Sequence, residues 1–341
     1  MDAKITKKRL GLLLSYDWIK IVGICVAAVL VWCLLFTTFG TRPSNGQNFE
    51  MYLYPGVRVN DSVSEDTFHA KDENGALSYD ILDFSTYSLT DDAMDTVMQT
   101  HFAAGQGDAL VAAALDPTRN EDTNEITAYN GIDNFVSRYY GYIVWLDPDL
   151  GVEKHVITNA SGETLAEIPN YFYECARYLN QFYNGDWKNG ELDEQAVRAN
   201  FDERMRGDKR FKNEAQREIG RQKEIERIQN LRDAFENVQR WAASEDENSP
   251  LRIRTSELSL VLEDGAEAQS VEWNFAFDLS NIDELTEFMS YPDENGTGTK
   301  DGLCMSILRI GSMGEEDLSY EPITLLNYLV KEYAPEKYEK Y

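Results

Sequence analysis

The side chains that most often carry catalysis are few in this chain and match no common catalytic pattern. The 341 residues include three histidines, His69, His101 and His155, and four cysteines. The sequence contains no His-Glu-x-x-His pair, no Cys-x-x-Cys, no Gly-x-Ser-x-Gly and no Gly-x-x-x-x-Gly-Lys phosphate loop. We therefore predict no catalytic residues, no cofactor and no enzymatic activity.

Carboxylates are the one abundant reactive group, with 60 acidic residues against 32 basic ones. A glycosidase needs only two carboxylates flanking a scissile bond, and nothing in the spacing singles out a pair. The turns Asp147 to Asp149, Asp72 to Gly75 and Asp293 to Gly296 offer oxygen ligands for calcium, but none fits the twelve-residue calcium loop. Because turns prefer Asp, Asn and Gly in any case, we predict no metal site.

Aromatic side chains crowd between Asn130 and Trp145 and offer a second kind of chemistry, the recognition of a ligand. Saccharide sites combine exposed aromatic faces with polar side chains, and large aromatics are also the ordinary filling of a core. Both interpretations are open from the sequence. The candidate ligand-binding residues are Tyr139, Tyr140, Tyr142, Trp145 and Trp187.

An uncharged run of nineteen residues, Ile21 to Phe39, precedes all of these side chains. A helix of this length spans about 28 Å, close to the thickness of a bilayer core. Five basic residues and two acidic ones lie in the first forty residues, which favours a cytoplasmic N-terminus. We predict a cytoplasmic tail at 1–20, a single transmembrane helix at 21–39 and a linker at 40–48. We prefer this retained signal-anchor to a cleaved signal peptide, whose apolar core is shorter.

The chain after the apolar run carries the remaining 27 basic and 58 acidic residues, so the predicted extracellular part is strongly acidic. Binding to nucleic acid depends on neutralising phosphates with Lys and Arg, and we predict no nucleic-acid partner. Two of the cysteines, Cys25 and Cys33, lie within the apolar run. The outer pair, Cys175 and Cys304, could form a disulfide outside the cell or remain as buried thiols.

Strands and helices alternate in the first half of the outer part. Residues 49–54 and 79–84 have the patterns of strands, and 90–102 places its apolar residues on one face of a helix. A glycine turn then leads into an apolar strand at 109–115. This order predicts an α/β fold.

The second half has a longer helical region. The predicted elements are a strand at 153–158, a helix at 169–182 with Pro169 in its first turn, a helical insertion at 192–243, a hairpin of 251–262 with 271–279, a short helix at 282–289, a strand at 303–310 and a closing helix at 320–333. The helix at 209–243 has one narrow apolar seam between charged faces. The seam predicts packing onto its own domain or docking to a membrane or envelope protein partner.

Three segments resemble extracytoplasmic solute-binding proteins of ABC importers. They are the helix-and-strand segment at 91–117 and two segments at 271–288 and 305–333. The N-terminal segment at 7–22 resembles uncharacterised single-span bacterial membrane proteins with outer domains of this kind. The resemblance implies a two-lobed, periplasmic-binding-protein-like domain at 49–341 that closes on a ligand.

The sequence therefore predicts a single-pass cell-membrane protein whose bulk is extracytoplasmic and binds a small solute such as a saccharide. A non-catalytic structural or interaction protein is the first alternative. A cell-wall-directed hydrolase is the third hypothesis.

Overall fold

Strand β1 (Asn48–Leu53) lies in a six-stranded mixed sheet with the order β11-β12-β15-β4-β1-β3. The other five strands are β3 (Asp83–Ser88), β4 (Ala109–Ala113), β11 (Arg252–Ser259), β12 (Ser270–Asp278) and β15 (Leu303–Ile307). The computed structural model describes residues 18–39, 43–60, 75–90, 92–116, 118–120, 126–128, 130–159, 161–259, 270–293, 295–309 and 316–341. These residues confirm the mixed α/β class.

Parallel and antiparallel pairs divide the sheet into two halves. β1 pairs in parallel with β3 and with β4, while β4–β15, β15–β12 and β12–β11 are antiparallel. All five residues of β4 and all five of β15 are buried, as expected for central strands covered on both faces.

Seven α-helices lie among the described residues after residue 43, and three of them, between residues 194 and 333, pack against one another as the helical layer. The seven are α2 (Met94–Ala103), α3 (Gly131–Tyr139), α4 (Tyr171–Leu179), α5 (Glu194–Arg204), α6 (Glu214–Ala242), α7 (Glu321–Tyr333) and α8 (Pro335–Lys340), after the N-terminal α1 (Trp18–Phe39). The minor strands are β2 (Arg58–Val59), β5 (Thr118–Arg119), β6 (Ile126–Ala128), β7 (Lys154–Thr158), β8 (Thr164–Pro169), β9 (Tyr183–Asn184), β10 (Glu191–Leu192), β13 (Met289–Pro292) and β14 (Gly298–Thr299).

The chain divides into two units, Met1–Arg42 and Pro43–Tyr341. The first contains α1, a helix of 22 residues that includes the whole uncharged run. Among the described residues, no helix has the length and apolarity required of a membrane span. The transmembrane assignment of 21–39 therefore stays a prediction.

The second unit holds the six-stranded sheet and the helical layer together. The described part of this unit has one large sheet, and its other sheets contain two or three strands. The two-lobed arrangement is not confirmed and stays a prediction.

Helix α6 dominates the helical layer. It begins with a capping box. The Asn213 side chain accepts a hydrogen bond from the backbone N–H of Gln216, and the Gln216 side chain accepts one from the backbone N–H of Asn213. The predicted seam is buried, including Ile228, Leu231 and Phe235. α6 packs against α5 and α7, so the seam stabilises its own unit.

Three predicted elements were misplaced. The second strand begins at Asp83 instead of Tyr79, because Tyr79 and Asp80 are held by side chains of the helical layer. The helix predicted at 282–289 is only a 3₁₀ turn, Leu285–Glu287, before β13. The helix predicted at 169–182 begins only at Tyr171, because Pro169 ends β8 and Asn170 is the N-cap of α4. The predicted tail before residue 18, the loop at 61–74 and the Asp264-Gly265 turn lie outside the described residues.

Candidate functional site

A polar groove lies between α6, α7 and the segment 75–79, with a volume of about 1030 Å³. Lys223, Glu226, Asn230 and Asp233 of α6 line it at spacings of three or four residues, so they share one face of the helix. The facing wall repeats this spacing on α7. Its residues are Glu321, Thr324, Asn327, Tyr328, Lys331 and Glu332.

Arg227 lines the groove, and directly beneath it lies its buried ion pair with Glu224, which does not itself line the groove; we call this buried layer of charges the floor. The Arg227 Nη2 atom lies 2.8 Å from Glu224 Oε1, and it also donates to the hydroxyl of Tyr178 at 2.7 Å. Arg227 Nη1 donates to the carbonyl oxygen of Asp317 at 2.6 Å. The guanidinium therefore has its hydrogen bonds satisfied inside the protein, as a buried charge requires.

A second arginine, Arg204, extends the floor into a network. It contacts Asp80 and lies 2.7 Å from Glu224. Arg210 donates to Asp80 at 2.6 Å and to Asp208 at 2.7 Å. These contacts tie the segment that contains Asp80 to α5 and to the loop before α6.

The electrostatics of the floor keep Glu224 ionised. Burial alone raises the pKa of Glu224, but the guanidiniums of Arg227 and Arg204 outweigh burial and lower the pKa to about 2. Glu321 has the opposite balance. Burial raises its pKa, although Arg227 and the hydrogen bonds from Ser78 oppose the rise.

The rim differs from the floor because its charges are exposed and mostly unpaired. Lys223, Lys331 and Glu332 form no ion pair with any described residue. The ammonium of Lys223 lies 5.8 Å from the ring centroid of Tyr79. Glu226 accepts one long hydrogen bond of 3.4 Å from Gln222. The rim thus presents charges of both signs to solvent.

A second polar cluster, the Glu50 cluster, consists of Glu50, Tyr52, His101 and Asp108. The Tyr52 hydroxyl donates to Glu50 Oε2 at 3.2 Å and lies 2.8 Å from Nδ1 of His101. Asp108 Oδ2 accepts from the backbone N–H of Glu50 at 2.8 Å. Burial raises the pKa of Glu50 and raises that of Asp108 to about 8. This cluster links β1 to the end of α2.

The five predicted ligand-binding aromatics do not line one surface. Tyr139 and Tyr142 both contact the ring of Phe102, with centroid distances of 5.7 and 4.5 Å. Tyr140 packs against Trp273 at 6.0 Å, and Trp145 stacks on His155 at 4.8 Å.

Trp187 lies apart from these rings, against Phe235 of α6 at 4.9 Å. Tyr139, Trp145 and Trp187 are buried, whereas Tyr142 is 45% exposed. A stacking platform needs an exposed ring face, which among these five Tyr142 provides best.

The outer cysteines are both free and buried. Burial raises the pKa of the Cys175 thiol well above its ordinary value, which disfavours the reactive thiolate. Of the two alternatives, the structure has the buried thiols. No group of three or more His, Cys, Asp or Glu side chains that could hold a metal ion occurs among the described residues.

Sequence reasoning missed the groove. Two features of the sequence pointed toward the groove: the balanced charge of residues 191–240 within an acidic chain, and polar residues at helical spacing on α6. Neither pattern identifies which helix faces it, because α7 lies about ninety residues further along the chain.

Comparison with protein-family models, with curated proteins and with solved structures gave no match. The resemblance to solute-binding proteins consequently stays a prediction, and the geometry of the groove is the basis for a function.

Proposed function

We propose that this chain is a membrane-anchored extracytoplasmic binding protein whose groove between α6 and α7 accepts a small polar solute. The observation that carries the proposal is the groove itself, a polar space of about 1030 Å³ above a floor of paired charges. This volume is in the range of sites that bind small molecules.

The floor supports binding because it is organised before a ligand arrives. Arg227 and Glu224 are already oriented by Tyr178, Tyr79 and the carbonyl of Asp317. A site whose charges are held in place does not lose affinity to their reordering. The exposed rim then supplies groups that can exchange water for ligand.

We propose binding without catalysis because the buried carboxylates of the floor are committed to protein partners. Glu224 accepts from Arg227 and Tyr79, and Glu321 accepts from the backbone N–H of Ser78. A general acid or base must lie within hydrogen-bond reach of the reacting group, whereas these carboxylates are hydrogen-bonded to the protein itself.

The proposed anchor is the uncharged run at 21–39, with the N-terminus in the cytoplasm and the groove outside. Its support is the sequence and the exposure of the apolar side chains of α1, for example 69% for Ile24 and 63% for Leu34. Side chains of this kind are stabilised in hydrocarbon.

The test is a thermal-unfolding screen of the full-length chain in detergent micelles with neutral oligosaccharides, short peptides and amino acids. A ligand at a hundred times its Kd stabilises the folded state by about 2.7 kcal/mol, which raises Tm by several degrees. Asn230→Trp places a large side chain in the groove and should abolish the shift.

Gln229→Trp is the matched control, because Gln229 is the preceding exposed residue of α6 and does not line the groove. A shift that survives Asn230→Trp would place the ligand elsewhere. If no compound gives a Tm shift that Asn230→Trp removes, the structural or interaction protein becomes the better function. Its interaction surface is then the exposed face of α6, where Ile219 is 59% exposed.

A further inference from the structure

The imidazole of His155 occupies a slot between two tryptophan side chains. It stacks on the ring of Trp145 with a centroid distance of 4.8 Å and an interplanar angle of 19°, and it lies edge-on to Trp273 at 5.9 Å. Both tryptophans are buried, and Trp145 is only 6% exposed. His155 therefore covers a face of Trp145, one of the aromatic rings that the sequence analysis named as a candidate for ligand binding.

The slot lacks the polar contact that a charged imidazole needs. The Nε2 atom of His155 is buried and has no hydrogen-bond partner among the described residues. A protonated imidazole has an N–H donor on each nitrogen, so protonation in the slot leaves one donor of a charged ring without an acceptor. The attraction of a cation to an indole face is smaller than the cost of a buried charge that lacks such a partner.

The charges around the slot do not reverse this preference. Burial lowers the pKa of His155 below its ordinary value of 6.5, and the carboxylate of Glu272 on β12 opposes the fall only in part. On β8, the residue paired with His155 is the uncharged Ile168, and the neighbouring Lys154 pairs with Glu167 at 2.6 Å. The closed slot is therefore favoured above about pH 6.5 and is lost as pH falls through the lowered pKa.

We propose that His155 is an acid-released cover of Trp145. When the imidazole is protonated, it leaves the slot and exposes the ring face of Trp145. The side chain of His155 is already partly exposed, so a change of rotamer brings the charged ring into water and leaves the backbone pairs of β7 with β8 intact. The chain thus gains an open aromatic face only in acid. This inference does not depend on the groove or on its ligand.

The test is acrylamide quenching of tryptophan fluorescence in the full-length chain in detergent, measured from pH 8 to pH 5, where histidine titrates. The chain has six tryptophans. We expect about one more of them to become quenchable in acid, with a midpoint below the ordinary histidine pKa of about 6.5. Trp145→Phe should abolish this increase, which assigns it to Trp145.

Two substitutions of His155 separate the cover from its charge. His155→Phe keeps an aromatic ring on Trp145 that cannot be protonated, so Trp145 should stay protected at every pH. His155→Ala removes the cover, so Trp145 should be quenchable already at pH 8. His101→Gln changes a histidine of the Glu50 cluster and is the control, which should keep the acid increase of the wild type.

Two outcomes contradict the inference. An acid increase that persists in His155→Phe means that protonation of His155 is not its cause. The absence of an increase in the wild type means that the charged imidazole stays on Trp145, because its cation–π contact then outweighs the missing acceptor.

Discussion

Single residues of the groove floor show how a buried charge is tolerated in this protein. Arg227 and Glu224 are both almost fully buried and satisfy each other together with Tyr178 and Asp317. Such a pair is costly to break, because the remaining partner keeps its charge without compensation.

Arg227→Met should destabilise the fold by about 3 to 5 kcal/mol, the range observed when one partner of a buried pair is removed. The measurement is denaturant unfolding of the full-length chain in detergent. Arg232→Met removes a partly exposed arginine of the same helix, whose side chain is 33% exposed, and should cost no more than about 1 kcal/mol. Comparable losses for the two variants would show that the floor is not a linked network.

The Glu50 cluster makes the stability of the fold depend on pH. The pKa of Asp108 is raised to about 8 in the folded state, so folding takes up a proton on this group at every pH between its unfolded and folded values. A raised carboxyl pKa contributes stability that is complete below about pH 4 and is lost as pH rises through about 8.

We therefore expect the free energy of unfolding to fall as pH rises from about 4 and to level off above about pH 8. Asp108→Asn keeps an acceptor for the Glu50 N–H and should flatten the fall, as measured by denaturant unfolding at a series of pH values. The lowered pKa of Glu224 acts in the opposite direction, because its stability is lost as pH falls from about 4.5 to about 2, almost entirely below this window. An identical slope in wild type and variant would contradict the assignment.

At the scale of elements, α6 illustrates the competition between helix propensity and packing. Gly220 lies within this helix, where alanine normally stabilises by about 1 kcal/mol. A Cβ at this position would lie 2.2 Å from the ring of Phe201 and 2.7 Å from that of Phe211. Phe201 is fully buried, so its ring cannot give way toward solvent.

Gly220→Ala should consequently destabilise the fold by about 1 to 3 kcal/mol, the usual cost of overpacking. Gln229→Ala, on the exposed face of the same helix, is the control and should be neutral or slightly stabilising. Thermal unfolding of the two variants provides the comparison. Stabilisation by Gly220→Ala would mean that α5 and α6 do not pack as closely as described.

The predictions for individual elements succeeded where local pattern decides the conformation. The hairpin of β11 and β12 is confirmed because both strands alternate and pair with each other. The strand at Tyr79 was wrong because Tyr79 donates to Glu224, a partner 145 residues away. No local pattern contains that contact.

At the scale of the whole molecule, the position of the acidic unit relative to the membrane is the property to test. Protease treatment of intact cells should digest the chain to a small fragment that keeps the N-terminus, because 21–39 is predicted to place the rest outside. Immunoblotting with a tag at the N-terminus and another at the C-terminus measures this. A cytoplasmic marker must stay intact in the same cells. Survival of the C-terminal tag would contradict the predicted orientation.

The sequence by itself determined the α/β class, the helical region at 192–243 and the uncharged run of α1, since each depends on composition or on a period of two or 3.6 residues. Only the tertiary structure decided that Trp145 and Trp187 are buried and that α6 and α7 enclose a groove. The reason is physical. A groove is made by residues far apart in the chain, and their meeting depends on how helices pack rather than on any local period.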